Sequence, residues 1–200
     1  MRTLSKEPEP QILLTHGAQW TQEYLAASGM AAAEKKKVEK WGHKQIRETL
    51  ATETSGRCAY CESRIGHVSY PHVEHIIPKS RRAELAHVWW NLTTACEVCN
   101  IAKADYWDAT LAILNPYVDE VESRLVFWGD IVDWVVGDEQ AELTIKKLKL
   151  NRFDWPTGVG CDCLRCARCL SAGRHRRVQS GPSSRSQYGW MLLMVTSRVP

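Results

Sequence analysis

Two Cys-x-x-Cys pairs, Cys58/Cys61 and Cys96/Cys99, enclose a Glu74-His75 dipeptide and Asn91, and Asn100 directly follows the last cysteine. Four thiolates in two pairs are a ligand set for a tetrahedral zinc ion, because each tight Cys-x-x-Cys turn offers two soft donors from one backbone reversal. The 34 residues between the pairs exceed what a minimal zinc ribbon needs and leave room for a small structured unit. Disulfides are the competing assignment. The opening MRTLSKEPEP has no apolar stretch of the kind a signal peptide needs, which points to a cytoplasmic protein, where thiols stay reduced and this spacing favours metal. Within the bracket and just past it, a carboxylate, an imidazole and two amides are residue types that can hold a hard cation and take a proton from a water.

The elements that must position these residues are partly readable. HVSYPHVEHIIP, residues 67–78, has the alternation and branched content of a strand closed by Pro78. On a strand Glu74 and His75 face opposite sides, yet twist near the strand end lets both reach one site. Asn91 follows two tryptophans, and Asn100 sits at the start of an expected helix running toward Trp107. The zinc would then pin that helix beside the strand. Residues 18–28 and 31–54 read as helices, the second from Val38, Trp41, Ile46 and Leu50 near helical spacing, with its Lys35-Lys36-Lys37 run a solvated face. Residues 125–134 read as a hairpin around Gly129-Asp130, and residues 141–150 as a last helix. No repeat is visible, and WMLLMV is too short to span a membrane.

The ordered set CxxC, EH, P, WNL, CxxCN..K resembles the HNH (ββα-metal) endonucleases, in the subgroup with a four-cysteine zinc site, over roughly residues 56–108. MRTLSKEPEP, WNLTTACEVCNIAKADYWD, LNPYVDE and TIKKLKLNR are also similar to a bacterial family of HNH proteins. That family includes the nuclease subunit of Septu-type anti-phage systems and certain retron-associated effectors. The resemblance implies an α+β fold, with a ββα-metal core and structural zinc embedded in a mostly helical small domain. It implies that His75 is the general base, that Glu74 and Asn100 bind a catalytic divalent cation such as magnesium, and that Asn91 braces the loop that orients the base. Asn100 stands where many members have a third histidine, which makes this an H-N-N variant. The implied substrate is DNA, cut to 5′-phosphate and 3′-hydroxyl ends, and the implied partner is an ABC-type ATPase, with retron components as another association.

Each residue also has a plainer reading. His75 alone is an ordinary half-buried histidine, Asn91 and Asn100 alone are turn and cap residues, and Lys103 is as readily a solvated helix lysine as a phosphate contact. His72, on the same strand face as Glu74, reads as structural or solvent-facing. Trp89, Trp90 and Trp107 read as packing rather than base stacking. A non-catalytic zinc module that binds nucleic acid or protein is the alternative function.

The chain divides into a helical segment (1–55), the core (56–108), a hairpin and helix packing on it (109–155), and a tail (156–200). The tail holds seven Arg and one Asp, with no Lys or Glu, so residues 1–155 keep 19 basic and 22 acidic side chains, a net −3 within an overall +3. A nuclease core of that sign has little long-range attraction for a polyanion, which predicts weak DNA binding alone and a need for a partner. Cys161, Cys163, Cys166 and Cys169 form either a second metal knuckle or part of a divergent, frame-altered and disordered tail, and the composition favours the tail.

Overall fold

The computed structural model describes residues 1–66, 70–129 and 131–152. The four tail cysteines and the proposed tail lie outside the described residues. Helix α1 (Gln11–Ala26) begins earlier than its periodicity indicated, because Pro10 supplies the extended residue before the first turn, and Leu13, Gly17 and Tyr24 carry the buried face. The single helix expected over 31–54 is broken into α2 (Ala32–Lys37), a 3-10 turn (Lys40–Gly42) and α3 (Lys44–Glu53). The cause lies at His43, whose backbone is extended and whose Nδ1 accepts from the Gln45 N–H, so a new helix starts there. The break turns Trp41 inward instead of leaving it on a helix face. Most of the Lys35-Lys36-Lys37 run is exposed, as expected.

Strand β1 (Pro71–His75) pairs antiparallel with β2 (Leu92–Cys96), with Pro71 opposite Cys96, Glu74 opposite Thr93 and His75 opposite Leu92. Helix α4 (Glu97–Lys103) follows without a break and packs on both strands. The unit is therefore β-β-α. Both ends of α4 differ from expectation. It starts at Glu97 because the Cys96 Sγ accepts from the Cys99 N–H, and it stops at Lys103 because Ala104 takes φ 50°, ψ −131°. That conformation is costly for a residue with a Cβ, and such strain concentrates at functional sites.

A short helix α5 (Val121–Arg124) leads into the expected hairpin, β3 (Leu125–Trp128) and β4 (Ile131–Trp134). Helix α6 (Glu139–Lys147) starts two residues before the expected position because Asp138 caps Ala141, and Lys149 at φ 50° ends the turn that follows it. The β1–β2 sheet separates two apolar clusters. On one side Leu92 and Val73 pack with Leu13, Ile46, Leu50 and Trp89 from the N-terminal half. On the other, Ala95 and the four cysteines pack with Leu114, Val121, Val132 and Leu148 from the C-terminal half. Among the described residues no helix is long and apolar enough to cross a membrane.

Candidate functional site

Cys58 and Cys61 lie in a knuckle closed by Cys58 N–H to Ser63 O (3.0 Å) and Glu62 N–H to Cys58 O (2.9 Å), with Glu62 at φ 61°. Ala59 N–H donates to Thr94 O (2.9 Å), which fastens the knuckle to β2. Cys96 ends that strand and Cys99 sits one turn into α4. All four thiols are buried and unbridged, and their sulfurs lie within 4.8 Å of one another. Cys61 and Cys96 are 3.7 Å apart. Tetrahedral zinc with ~2.3 Å bonds requires sulfurs ~3.8 Å apart, so the donor set fits the ion.

The electrostatics agree. Burial pushes the Cys58 thiol well above its ordinary value, while hydrogen bonds from Cys58, Cys96 and Cys99 pull Cys61 well below. The four groups cannot share their protons evenly, and a dication removes the conflict by replacing them. Arg152 donates toward Cys99 Sγ (3.6 Å) and Cys96 Sγ (3.9 Å), supplying positive charge beside what would be a dianionic centre.

Asn91 is fully buried and its amide is spent on backbone. Its Oδ1 accepts from Ile77 N–H (2.8 Å), and its Nδ2 donates to Ile77 O (3.0 Å) and Leu85 O (3.2 Å). These bonds stop the strand at His75 and hold the 83–91 segment against it. The neighbouring carbonyl, Ala86 O, lies 2.9 Å from His75 Nε2. A carbonyl only accepts, so Nε2 carries the proton and Nδ1 keeps its lone pair. Trp41 packs edge-on to the ring, with centroids 5.0 Å apart at 85°. Burial lowers the His75 pKa to about 3, opposed by the Ala86 bond and assisted by Lys79 and Lys103. The imidazole is thus neutral at working pH, as a base must be.

Glu74 faces the other side of the strand. Its carboxylate is 2.6 Å from Lys103 Nζ, and both are almost sealed from water, at 8% and 0% side-chain exposure. Lys103 also donates to His75 O (2.8 Å). Neither sequence reading of Lys103, phosphate contact or solvated lysine, survives, because the residue is a buried tie between α4 and the end of β1. Burial raises the Glu74 pKa, and Lys103 opposes the rise. Asn100 Nδ2 meets His72 Nδ1 at 3.1 Å, so His72 is held rather than solvent-facing, and the amide oxygen of Asn100 is left for another partner. Trp89 is buried and donates to Glu7 O (2.7 Å), whereas Trp90 is half exposed, against the packing expected of it.

Glu74 and His75 nevertheless reach one cleft, of about 240 Å³. Pro78, Lys79 and Ser80 form its second wall, and Asn100, Ala104 and Asp105 its third. Glu74 and the Asn100 amide are oxygen donors suited to a hard cation. Among the described residues the four cysteines form the sole cluster of three or more His, Cys, Asp or Glu ligands. A cation at Glu74 would therefore draw its remaining ligands from water and substrate, as magnesium commonly does.

Residues 58–105 match the family model described as HNH endonuclease. This β-β-α segment is an HNH domain. One relative, the Septu protein PtuB of Bacillus mycoides (strain KBAB4), is 27% identical over 145 residues, covering 57% of this chain and 49% of that protein. The chain thus spans about half the length of the curated relative it matches. The HNH domain, its β-β-α order and the cysteine cluster agree with the fold class expected from sequence. Lys79 and Trp41 were not singled out there as parts of the site, and Glu74 and Lys103 were each marked by the motif but not as partners of one another.

Two buried histidines predict an acid-labile fold. Burial lowers the His87 pKa to about 4, and its Nε2 accepts from the Lys40 N–H (3.3 Å). For both His75 and His87 the unfolded chain, with values near 6.5, binds the proton that the folded chain refuses. Their stabilisation is complete above about pH 6.5 and drains away as pH falls toward about 4 and then about 3. Denaturant midpoints of the zinc-loaded protein should fall steadily below pH 6.5, and His87→Gln should flatten that slope. A flat wild-type profile from pH 7 to 5 contradicts the assignment.

Proposed function

We propose that this chain is a metal-dependent HNH endonuclease that hydrolyses DNA phosphodiester bonds, and that it is the nuclease effector of a bacterial anti-phage system working with an ATPase partner. The observation that carries the reading is the state of His75. Within an HNH domain, on the wall of a cleft shared with Glu74 and Asn100, it is fixed as the Nε2–H tautomer with an unprotonated Nδ1. Nδ1 takes a proton from the attacking water, the new P–O bond forms, and the bond from phosphorus to the leaving 3′ oxygen breaks, with that oxygen protonated by solvent. Asn91 keeps the Leu85–Ala86 carbonyls in place, which keeps the His75 tautomer in place. Glu74 and Asn100 would hold the divalent cation. When bound, the ion neutralises charge on the phosphorane and the leaving oxygen.

The partner follows from charge and from kinship. Residues 1–155 are net negative, which suits a nuclease that is brought to DNA rather than attracted to it. The PtuB relative supports a Septu-type role; a neighbouring ATPase gene would identify the partner that licenses cleavage, while a neighbouring reverse transcriptase gene would place the chain with retrons instead. One observation favours a second reading, a non-catalytic zinc module: Glu74 is already neutralised by Lys103 in a nearly closed site.

Plasmid nicking with magnesium or manganese, with and without the ATPase, separates the two. His75→Ala should cut the rate by about 10²–10⁴-fold, the usual worth of a positioned base, with zinc content retained and the rate measured well below the variant's own, lower melting temperature. A wild-type chain that nicks under no metal and no partner supports the module.

A further inference from the structure

Of three cations at or near the cleft among the described residues, two are already committed. Lys103 is sealed beneath it against Glu74. Arg81 reaches across its rim to Asp105 (3.3 Å). Lys79 is half-buried on the cleft wall, where its charge acts on both Glu74 and His75, and among the described residues it forms no direct ion pair. Its ammonium instead lies over the Trp41 ring, 5.1 Å from the centroid. That ring is fixed on its other sides by Tyr24, edge-on at 5.3 Å, and by His75, edge-on at 5.0 Å. The backbone beneath Lys79 is fixed as well. Pro78 is buried, and its carbonyl accepts from both Arg81 N–H (2.9 Å) and Arg82 N–H (3.0 Å), which closes a tight turn around Lys79 and Ser80.

A lysine normally loses much rotamer freedom on gripping an anion. One whose ammonium is held over an immobile indole, on a pinned turn, has lost part of that freedom beforehand, and it keeps its three donors. The same indole touches the ring of His75, so the cation and the base share one support. An anion entering this cleft meets Lys79 on the wall and His75 at the end of β1.

We propose that Lys79, held by Trp41, is the phosphate-binding residue of the cleft, gripping a non-bridging oxygen of the phosphodiester whose phosphorus is presented to His75. This rests on the nuclease reading above and adds the group that positions its substrate. Trp41 acts through Lys79 and His75 and is a positioning residue.

The test uses the full zinc-loaded chain with its partner, on a plasmid or a duplex, under the metal that supports nicking. Lys79→Gln should raise KM about 10-fold or more, the cost of one charge-assisted contact, with a smaller change in kcat. It should also lower the slope of log affinity against log salt by about 0.9, one duplex phosphate contact. Lys79→Arg should recover most of the loss, and zinc content and the melting curve should not move. Lys146→Gln, on α6 away from the cleft, is the control and should leave KM and salt slope as in the wild type. If the wild type cleaves and Lys79→Gln matches it in KM and slope, the phosphate role is overturned while the nuclease reading stands. A fall in kcat alone, with KM and slope unchanged, overturns it too. A wild type that neither cleaves nor binds under any metal or partner overturns both.

Discussion

Stripping the zinc should unfold this protein. The four cysteines join a knuckle at residues 57–63 to the end of β2 and the start of α4, beside the backbone tie from Ala59 N–H to Thr94 O. They also sit within the apolar cluster that gathers the C-terminal half, including Leu114, Val121, Val132 and Leu148. Structural zinc sites of this type supply an apparent ~10–16 kcal/mol at neutral pH, while a whole domain is stable by only ~5–15 kcal/mol. Loss of the ion is therefore comparable to the entire stability, before the four buried thiols are reprotonated at one another's expense. A strong chelator should abolish the cooperative melt, with metal analysis giving one zinc per folded chain, and re-addition of zinc should restore it. Cys99→Ser, which removes a fully buried ligand, should give a chain that does not fold without a large excess of zinc. Arg152→Ala should cost less, since the arginine balances charge around the sulfurs without ligating the ion. A chelated, zinc-free chain that still melts cooperatively within a few degrees of the holo form is the result that sinks this account.

The same cysteines explain why part of the site could be read from sequence. A Cys-x-x-Cys pair needs no tertiary information, because one turn sets the ligand geometry, and two such pairs announce their partner. Glu74 and His75 were marked by the resemblance of the EH dipeptide to the HNH pattern, and although adjacent strand residues face opposite ways, both line one cleft. Other features depended on contacts between distant segments. Strand β2, LTTAC, is buried throughout and short, so it shows no alternation. Trp41 continued a helical spacing and was assigned to a helix face, but the turn at Lys40–Gly42 and the new start at His43 send it to His75 and Lys79. Lys103 lies at the end of a short helix, and nothing local distinguishes a lysine in water from one sealed against a carboxylate 29 positions earlier. His72 reads from sequence as structural or solvent-facing, and the choice falls to the structural reading only when α4 packs on β1 and brings its partner, Asn100.

Lys103→Met should be the most damaging single change outside the zinc ligands. The variant keeps the volume and apolar stem of the lysine but removes the charge, leaving Glu74 buried with its strongest compensating partner gone. An uncompensated buried charge costs ~3–5 kcal/mol, yet the carboxyl has a second route, which is to take up a proton. From an ordinary glutamate value near 4.3, holding that proton at pH 7 costs about 1.4 kcal/mol per pH unit, or close to 4 kcal/mol. The two routes are nearly equal, so the loss at neutral pH should be about 4 kcal/mol. The pH dependence identifies the cause. In the variant the folded-state pKa of Glu74 stands above its unfolded value, so the variant's deficit should be small near pH 4.5 and should widen as pH rises through 7. The double variant Glu74→Gln/Lys103→Met removes both charges and should recover much of the loss in denaturant midpoint, while remaining unable to cleave DNA because the carboxylate is gone. Loss of the Lys103 bond to His75 O, which the double variant does not restore, sets the part that stays lost. If Lys103→Met instead loses the same stability at pH 5 and pH 8, the lysine matters through packing and its bond to His75, and the carboxylate of Glu74 must already be served by water or by a cation.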